Sequence, residues 1–178
     1  MKKVFLHTCC APCFLKCQES LEAEGITPVL FWYNPNIHPW TEYNSRKECL
    51  INYAKEKSLE IKVRDSYGLR SFISDIYPEF KKGRCEYCYN LRLEETAKSA
   101  VEEGYNYFST TLLISPYQNH ELIKSIGEEI AKKYDIEFFY RDFRPHFREG
   151  QRLARLRGFY MQKYCGCIFS EEERYLKA

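Results

Sequence analysis

The stretch "KVFLHTCCAPC", Lys3–Cys13, decides the fold. Val4-Phe5-Leu6 is an apolar run of the length that a buried strand makes, and polar His7 ends it. Three cysteines then fall within five positions. Pro12 suits the first turn of a helix, because its φ is already helical and its missing N–H would have had no partner there. The spacing therefore predicts a strand over Lys3–His7 and a helix from Cys13 to about Glu24, stopped by Gly25. The cysteines sit at the hinge between them, at the carboxyl end of the strand.

The same alternation continues outward along the chain. Pro28–Tyr33, "PVLFWY", reads as a second buried strand, and "NPNIHP" after it is a loop by composition. Thr41–Lys57 is helical, with Tyr43, Cys49, Leu50 and Tyr53 on one face. Glu60–Arg64 alternates as a third strand, and one or two short helices lie between Gly68 and Phe80. A long helix runs from about Cys85 to Glu103 and Gly104 ends it. Tyr105–Ser109 is a fourth strand, Ser115–Tyr134 a helix, Glu137–Tyr140 a fifth strand and Gln151–Tyr164 a last helix. Strands alternating with helices predict an α/β domain: a parallel sheet of about five strands with helices on both faces. Ligands of such sheets bind beyond the carboxyl ends of the strands. Those ends carry "HTCCAPC", "NPNIHP", "STTLLISP" and "RDFRPH", the polar, Cys-, His- and Pro-rich segments of the chain.

The 178 residues suit one domain, and 44% hydrophobic composition supplies a core. No apolar run approaches a membrane span, and Val4-Phe5-Leu6 is too short for a signal-peptide core. The expectation is a cytosolic protein that does not enter membranes. Nine cysteines then point to metal or redox chemistry rather than to disulfides. Six of them form tight pairs: Cys9-Cys10, Cys85-x-x-Cys88 and Cys165-x-Cys167. Cys17 and Cys49 read as core packing, and the spacing assigns Cys13 no role. A helix N-terminus lowers a thiol's pKa, and thiolate is the form that binds metal. Cys9 and Cys10 precede a predicted helix, and Cys85 and Cys88 share one face at the start of another. Gly166 lets the sulfurs of Cys165 and Cys167 turn to one side. Four thiolates suit structural zinc. Six exceed that need, and an iron–sulfur cluster uses up to four, leaving ligands for a second metal.

The segments "HTCCAPC", "YNPNIHPWTEYNSR", "GRCEYCYNLRLEETA", "TTLLISPYQN", "DFRPHF" and "YMQKYCGCIFS" resemble, in order and over about residues 4–170, the QueH-type epoxyqueuosine reductase family. The resemblance implies reduction of the epoxide of epoxyqueuosine to queuosine at the wobble position of tRNA. It also implies a 4Fe-4S cluster with an adjacent mononuclear iron, and a fold similar to nucleotide-binding ATP-pyrophosphatase (HUP-like) domains. Electrons would come from an external donor. Where those nucleotide-binding relatives place a Gly/Ser-rich pyrophosphate turn, this chain has "HTCCAPC". A zinc-stabilised RNA-binding domain without catalysis and an ATP-dependent tRNA-modifying enzyme remain as rivals.

On this reading Cys9, Cys10, Cys85, Cys88, Cys165 and Cys167 are metal ligands. His38 and Asp142 are candidates to supply protons. Asn34, Asn36, Thr110 and Thr111, at strand ends, are candidates to contact the modified base, or else make turns and caps. His7 and His120 read as structural. Residues 141–163 carry seven basic against two acidic residues, whereas residues 1–140 are slightly acidic. Arg144, Arg148, Arg152, Arg155 and Arg157 thus make a candidate tRNA surface, with Phe143, Phe147, Phe159 and Tyr160 interleaved to stack on unpaired bases.

Overall fold

The computed structural model describes residues 2–77 and 83–176. Five strands form one parallel sheet in the order β3-β2-β1-β4-β5. They are β1 (Lys2–His7), β2 (Ile26–Trp32), β3 (Ile61–Val63), β4 (Tyr107–Thr110) and β5 (Glu137–Phe138). β1 is central because it is apolar on both faces: Val4, Phe5 and Leu6 are fully buried. It pairs with β2 from Lys2↔Ile26 to His7↔Phe31, and with β4 from Phe5↔Phe108 to His7↔Thr110. All five expected strands are present, within a few residues at each end.

Seven α-helices accompany the sheet among the described residues: α1 (Ala11–Glu22), α2 (Trp40–Glu56), α3 (Leu69–Ile76), α4 (Arg84–Glu102), α5 (His120–Tyr134), α6 (Phe147–Leu156) and α7 (Ile168–Tyr175). The chain leaves β1 toward β2 on one side and later returns to β4 on the other. Right-handed crossovers therefore put α1 and α2 on one face and α4 and α5 on the opposite face. α6 packs along α1, and α4 packs on β1, β4 and α5. The reversal of strand order between β1 and β4 makes their carboxyl ends the switch point of the sheet, where such folds hold ligands. No helix among the described residues is long and apolar enough to cross a membrane.

Two expectations about helices need correction. Thr111–Ile114 is a 3-10 turn, and α5 starts only at His120, where the Asn119 side chain accepts from the Leu122 N–H. α6 begins four residues before Gln151 and ends at Leu156, because Gly158 takes φ +67° and turns the chain. Residues 159–167 are consequently an irregular run rather than helix, and α7 follows them. The expected short helices between Gly68 and Phe80 resolve into α3 up to Ile76, and 78–80 lie outside the described residues.

Candidate metal centre

The sulfurs of Cys9, Cys10 and Cys13 lie within 4.8 Å of one another. The geometry follows from the βα hinge. Cys10 is the N-cap of α1 in extended conformation and Cys13 lies in the first turn, so the thiols face the positive end of the helix. Thr111, just past β4, closes the switch point: its hydroxyl accepts from the Cys9 N–H (3.2 Å) and donates to Cys9 Sγ (3.4 Å). The Gln162 amide donates to Cys10 Sγ (2.9 Å) and Cys13 Sγ (3.7 Å). Hydrogen bonds from Cys10, then Cys13, hold the Cys9 thiol well below its usual range against burial. Burial raises Cys10, and hydrogen bonds to Cys10 and Cys9 raise Cys13. The arrangement favours ionisation at Cys9 over Cys10 and Cys13 and sets three soft donors side by side for a soft cation.

A second set of cysteines adjoins the first. Cys85 stands in the first turn of α4, and Cys167 is the N-cap of α7, so two more helix N-termini serve thiols. Cys88 and Cys167 are buried and pack together with Phe72 and Ile76. Burial pushes Cys88 up to about 12, while Arg92 pulls it down. Cys165 is exposed, and its thiol accepts from the Gln118 amide (3.2 Å). Cys85, Cys165 and Cys167 lie within electrostatic reach of Cys88, but among the described residues only Cys9, Cys10 and Cys13 bring three sulfurs within 4.8 Å of one another, so the structure adds Cys13 to the first pair. Cys17 is buried in the core, and Cys49 packs against it.

The turn carrying Cys165 and Cys167 is held from outside the sheet. Arg46 is buried, paired with Glu42, and donates to the carbonyls of Cys165 (2.9 Å) and Tyr164 (3.0 Å). The His38 N–H donates to the Gly166 carbonyl (2.8 Å), and the Tyr164 hydroxyl donates to the His38 carbonyl (2.6 Å). His38 itself donates from Nε2 to the Pro35 carbonyl (3.0 Å) and accepts at Nδ1 from the Ile168 N–H (3.3 Å). Burial lowers it to about 4, so it is neutral with both ring nitrogens committed to backbone. Asp142 accepts three hydrogen bonds from Arg144, which hold its carboxyl down to about 2. A carboxylate so held is a poor proton donor near neutral pH.

The polar strand-end residues tie the sheet together. Asn34 donates to the Thr8 carbonyl (3.0 Å), which turns its Oδ1 toward His7 Nε2 (3.1 Å). This assigns the ring proton to Nε2. The Thr110 hydroxyl then donates to His7 Nδ1 (2.9 Å) and accepts from the Leu112 N–H (3.1 Å). One buried, neutral imidazole thereby joins the ends of β1, β2 and β4. Asn34 and Thr110 are fully buried, and of the four candidates only Thr111 is hydrogen-bonded to a cysteine. Asn36 is buried beside the Gly166 turn, and its Oδ1 has no hydrogen-bond partner among the described residues.

The basic segment divides in two. Arg144, Arg152 and Arg157 reach Asp142, Glu149 and Glu56, while Arg148 and Arg155 have no ion-pair partner among the described residues. Phe143 is fully buried, and Phe147 and Phe159 pack against the core, so they do not form an open stacking surface. Of the four interleaved rings Tyr160 stays exposed, its hydroxyl donating to Glu42, and Tyr117 nearby is 84% exposed and edge-on to Phe147. Its neighbour Gln118 is the residue that bonds Cys165.

The family model of epoxyqueuosine reductase QueH matches residues 4–173. The chain belongs to the QueH epoxyqueuosine reductase family. It is 39% identical to the QueH of Thermotoga maritima, across 98% of this chain and 93% of that one. It is 35% identical to the QueH of Dehalococcoides mccartyi, across 98% and 96%. Its fold is similar to that of the U34-tRNA thiolase NcsA from Methanococcus maripaludis, solved with its [4Fe-4S] cluster (TM-score 0.58, 12% identity, 97% of this chain and 63% of that one). It is also similar to a predicted subunit of tRNA methyltransferase from Methanocaldococcus jannaschii (TM-score 0.53, 17% identity, 87% and 75%). The expected α/β fold with a five-stranded parallel sheet is therefore present, and these two structures share it. Sequence spacing did not single out Gln118, Gln162, Arg46 or Arg92, which surround the QueH cysteines. Arg92 alone carried a local signal, lying one helical turn after Cys88.

Proposed function

We propose that this chain reduces the epoxide of epoxyqueuosine in tRNA to the alkene of queuosine. The observation that carries the reading is the buried Cys9–Cys10–Cys13 cluster, its sulfurs within 4.8 Å of one another at the switch point of the sheet, in a member of the QueH family. The conversion takes up two electrons and two protons and releases the epoxide oxygen as water. The donor set fits iron–sulfur chemistry: the thiols are soft, clustered, fed by three helix N-termini and accompanied by buried guanidinium groups. Cys9, Cys10, Cys85, Cys88, Cys165 and Cys167 would hold the iron, and Cys13 lies close enough to share in it. Bound there, a 4Fe-4S cluster with an adjacent iron would supply single electrons and a Lewis-acid position.

The protein's own groups do the rest. Thr111, Gln162 and Gln118 fix the orientation of the sulfurs. His38, Arg46 and Tyr164 hold the Gly166 turn. On this reading His38 positions that turn rather than moving a proton. Arg148 and Arg155 on α6 meet tRNA phosphates, and Tyr117 offers a ring to an unpaired base beside the cysteines. Electrons come from an external donor, and the setting is the cytosol, where tRNA and reduced thiols coexist.

The test is anaerobic purification with iron and sulfide analysis, followed by incubation with epoxyqueuosine-bearing tRNA and a chemical reductant. Mass analysis of the released nucleosides should show queuosine formed in proportion to cluster content. Stoichiometric zinc without acid-labile sulfide, or no queuosine from iron-replete protein, would overturn the reading.

A further inference from the structure

Arg92 is a large side chain buried to 2% exposure in the middle of α4. A guanidinium does not shed its proton in a protein, so its charge is permanent. A buried charge needs an opposite charge beside it. No carboxylate lies within ion-pair distance of Arg92 among the described residues, whereas buried Arg46 has Glu42. Arg92 instead donates from Nε to the Cys88 carbonyl and from Nη2 to Cys88 Sγ, both at 3.1 Å. The thiols of Cys165 and Cys9 are also within its electrostatic reach, so it stands between the two sets of cysteines.

We infer that Arg92 is the built-in counter-charge of the iron–sulfur group, a positioning residue whose fixed cation raises the group's reduction potential. The inference rests on the iron–sulfur reading above. Its logic is one of charge. Thiolate-ligated clusters are anionic, and each added electron makes them more so. A permanent cation hydrogen-bonded to one thiolate favours the more negative, reduced state and makes the electron easier to accept. Arg92 also explains why a buried guanidinium is tolerated here: its partner is the cluster with its thiolates rather than a carboxylate.

The experiment is spectroelectrochemical titration of the anaerobically prepared holoprotein, comparing wild type with Arg92→Gln and Arg92→Lys. At a fixed applied potential, Arg92→Gln should lower the ratio of reduced to oxidised cluster at least tenfold, which is about 59 mV for a one-electron couple. Arg92→Lys, which keeps the charge, should stay within threefold of wild type. An unshifted Arg92→Gln, or equal shifts in both variants, would overturn the inference. If Arg92→Gln folds but takes up no iron while Arg92→Lys does, the charge serves assembly rather than potential and the inference falls. If both variants fail to fold or to load, Arg92 is a packing residue and the inference falls. Wild-type protein without an iron–sulfur chromophore would instead refute the functional reading itself.

Discussion

Replacing Gly166 by alanine should damage the centre without touching a sulfur. Gly166 takes φ +151°, a conformation that side-chain-bearing residues rarely adopt, and such strain costs about 1–3 kcal/mol. An added Cβ would also stand 3.2 Å from Ile37 Cγ1, 3.5 Å from Arg46 Nη1 and 3.6 Å from Asn36 Nδ2. Only the approach to Ile37 is tight, and Ile37 is buried to 1% exposure and cannot yield cheaply; the other two are ordinary contacts. The total should be about 2–3 kcal/mol, or about 4–12 °C in Tm for a chain of this size. The relief available is to swing the turn outward, which moves Cys165 and Cys167 and weakens the bonds from Arg46 and His38. Iron content should therefore fall along with Tm. Gly104→Ala is the control: its φ is +77° but a Cβ there meets nothing within 4 Å, so it should cost only about 1–2 kcal/mol and leave iron unchanged. Thermal melts and iron analysis of the two variants decide the matter. If Gly166→Ala melts no lower than Gly104→Ala and keeps its iron, the turn is not a strained, packed mount for the two cysteines.

Other perturbations separate the parts of the site. Cys10→Ala, Cys85→Ala, Cys88→Ala and Cys167→Ala should each lose activity and most bound iron, while Cys49→Ala, altering only a core-packing thiol, should retain both by iron assay and turnover. Arg148→Gln with Arg155→Gln should weaken tRNA binding and reduce the slope of log affinity against log salt by about 2, measured by titration at several salt concentrations; an unchanged slope would mean that the tRNA docks elsewhere. His38 titrates near 4 when folded against about 6.5 unfolded, so the unfolded chain takes up its proton first as pH falls. Stability from this residue is thus complete above about pH 6.5 and lost as the pH drops toward 4, on the order of 1–3 kcal/mol, and denaturant melts of His38→Gln should show a flatter profile over that window. Gly127→Ala should destabilise by about 1–3 kcal/mol, because its Cβ would enter the Phe138 ring at 2.5 Å, while iron binding persists.

The sheet was legible because each strand is a short apolar run bounded by polar or turn residues, and β1 announced both the central strand and the hinge. The edge holding the site was legible for the same reason: carboxyl ends of parallel strands gather whatever side chains follow them. The end of the chain was harder. Arg152 to Tyr164 carries apolar residues at helical intervals, and only the backbone at Gly158 decides that the helix stops there. The roles of single polar residues were hidden more deeply. Asn34 and Thr110 look like contacts for a substrate, and His38 like a proton donor, when read alone. Their partners are backbone groups and an imidazole brought near by folding, and no local pattern encodes them. Gln162 and Arg92 escaped for the converse reason, since a glutamine or an arginine in a helix or loop is ordinary until a sulfur is found beside it.

The sulfur site is assembled from opposite ends of the chain, and this sets an order of events during synthesis. Cys10 and the Gln162 that bonds it are 152 positions apart. At about 5–20 residues per second, ribosomes would expose Cys9, Cys10 and Cys13 roughly 8–30 seconds before Gln162 appears. Over that interval the early thiols have neither the later cysteines nor the Gly166 turn to complete their surroundings. On the iron–sulfur reading, iron delivery would act on a finished chain rather than a nascent one, and a truncation that removes only residues after Met161 would leave the thiols of Cys9, Cys10 and Cys13 intact but without the Gln162 amide and the Cys165–Cys167 turn.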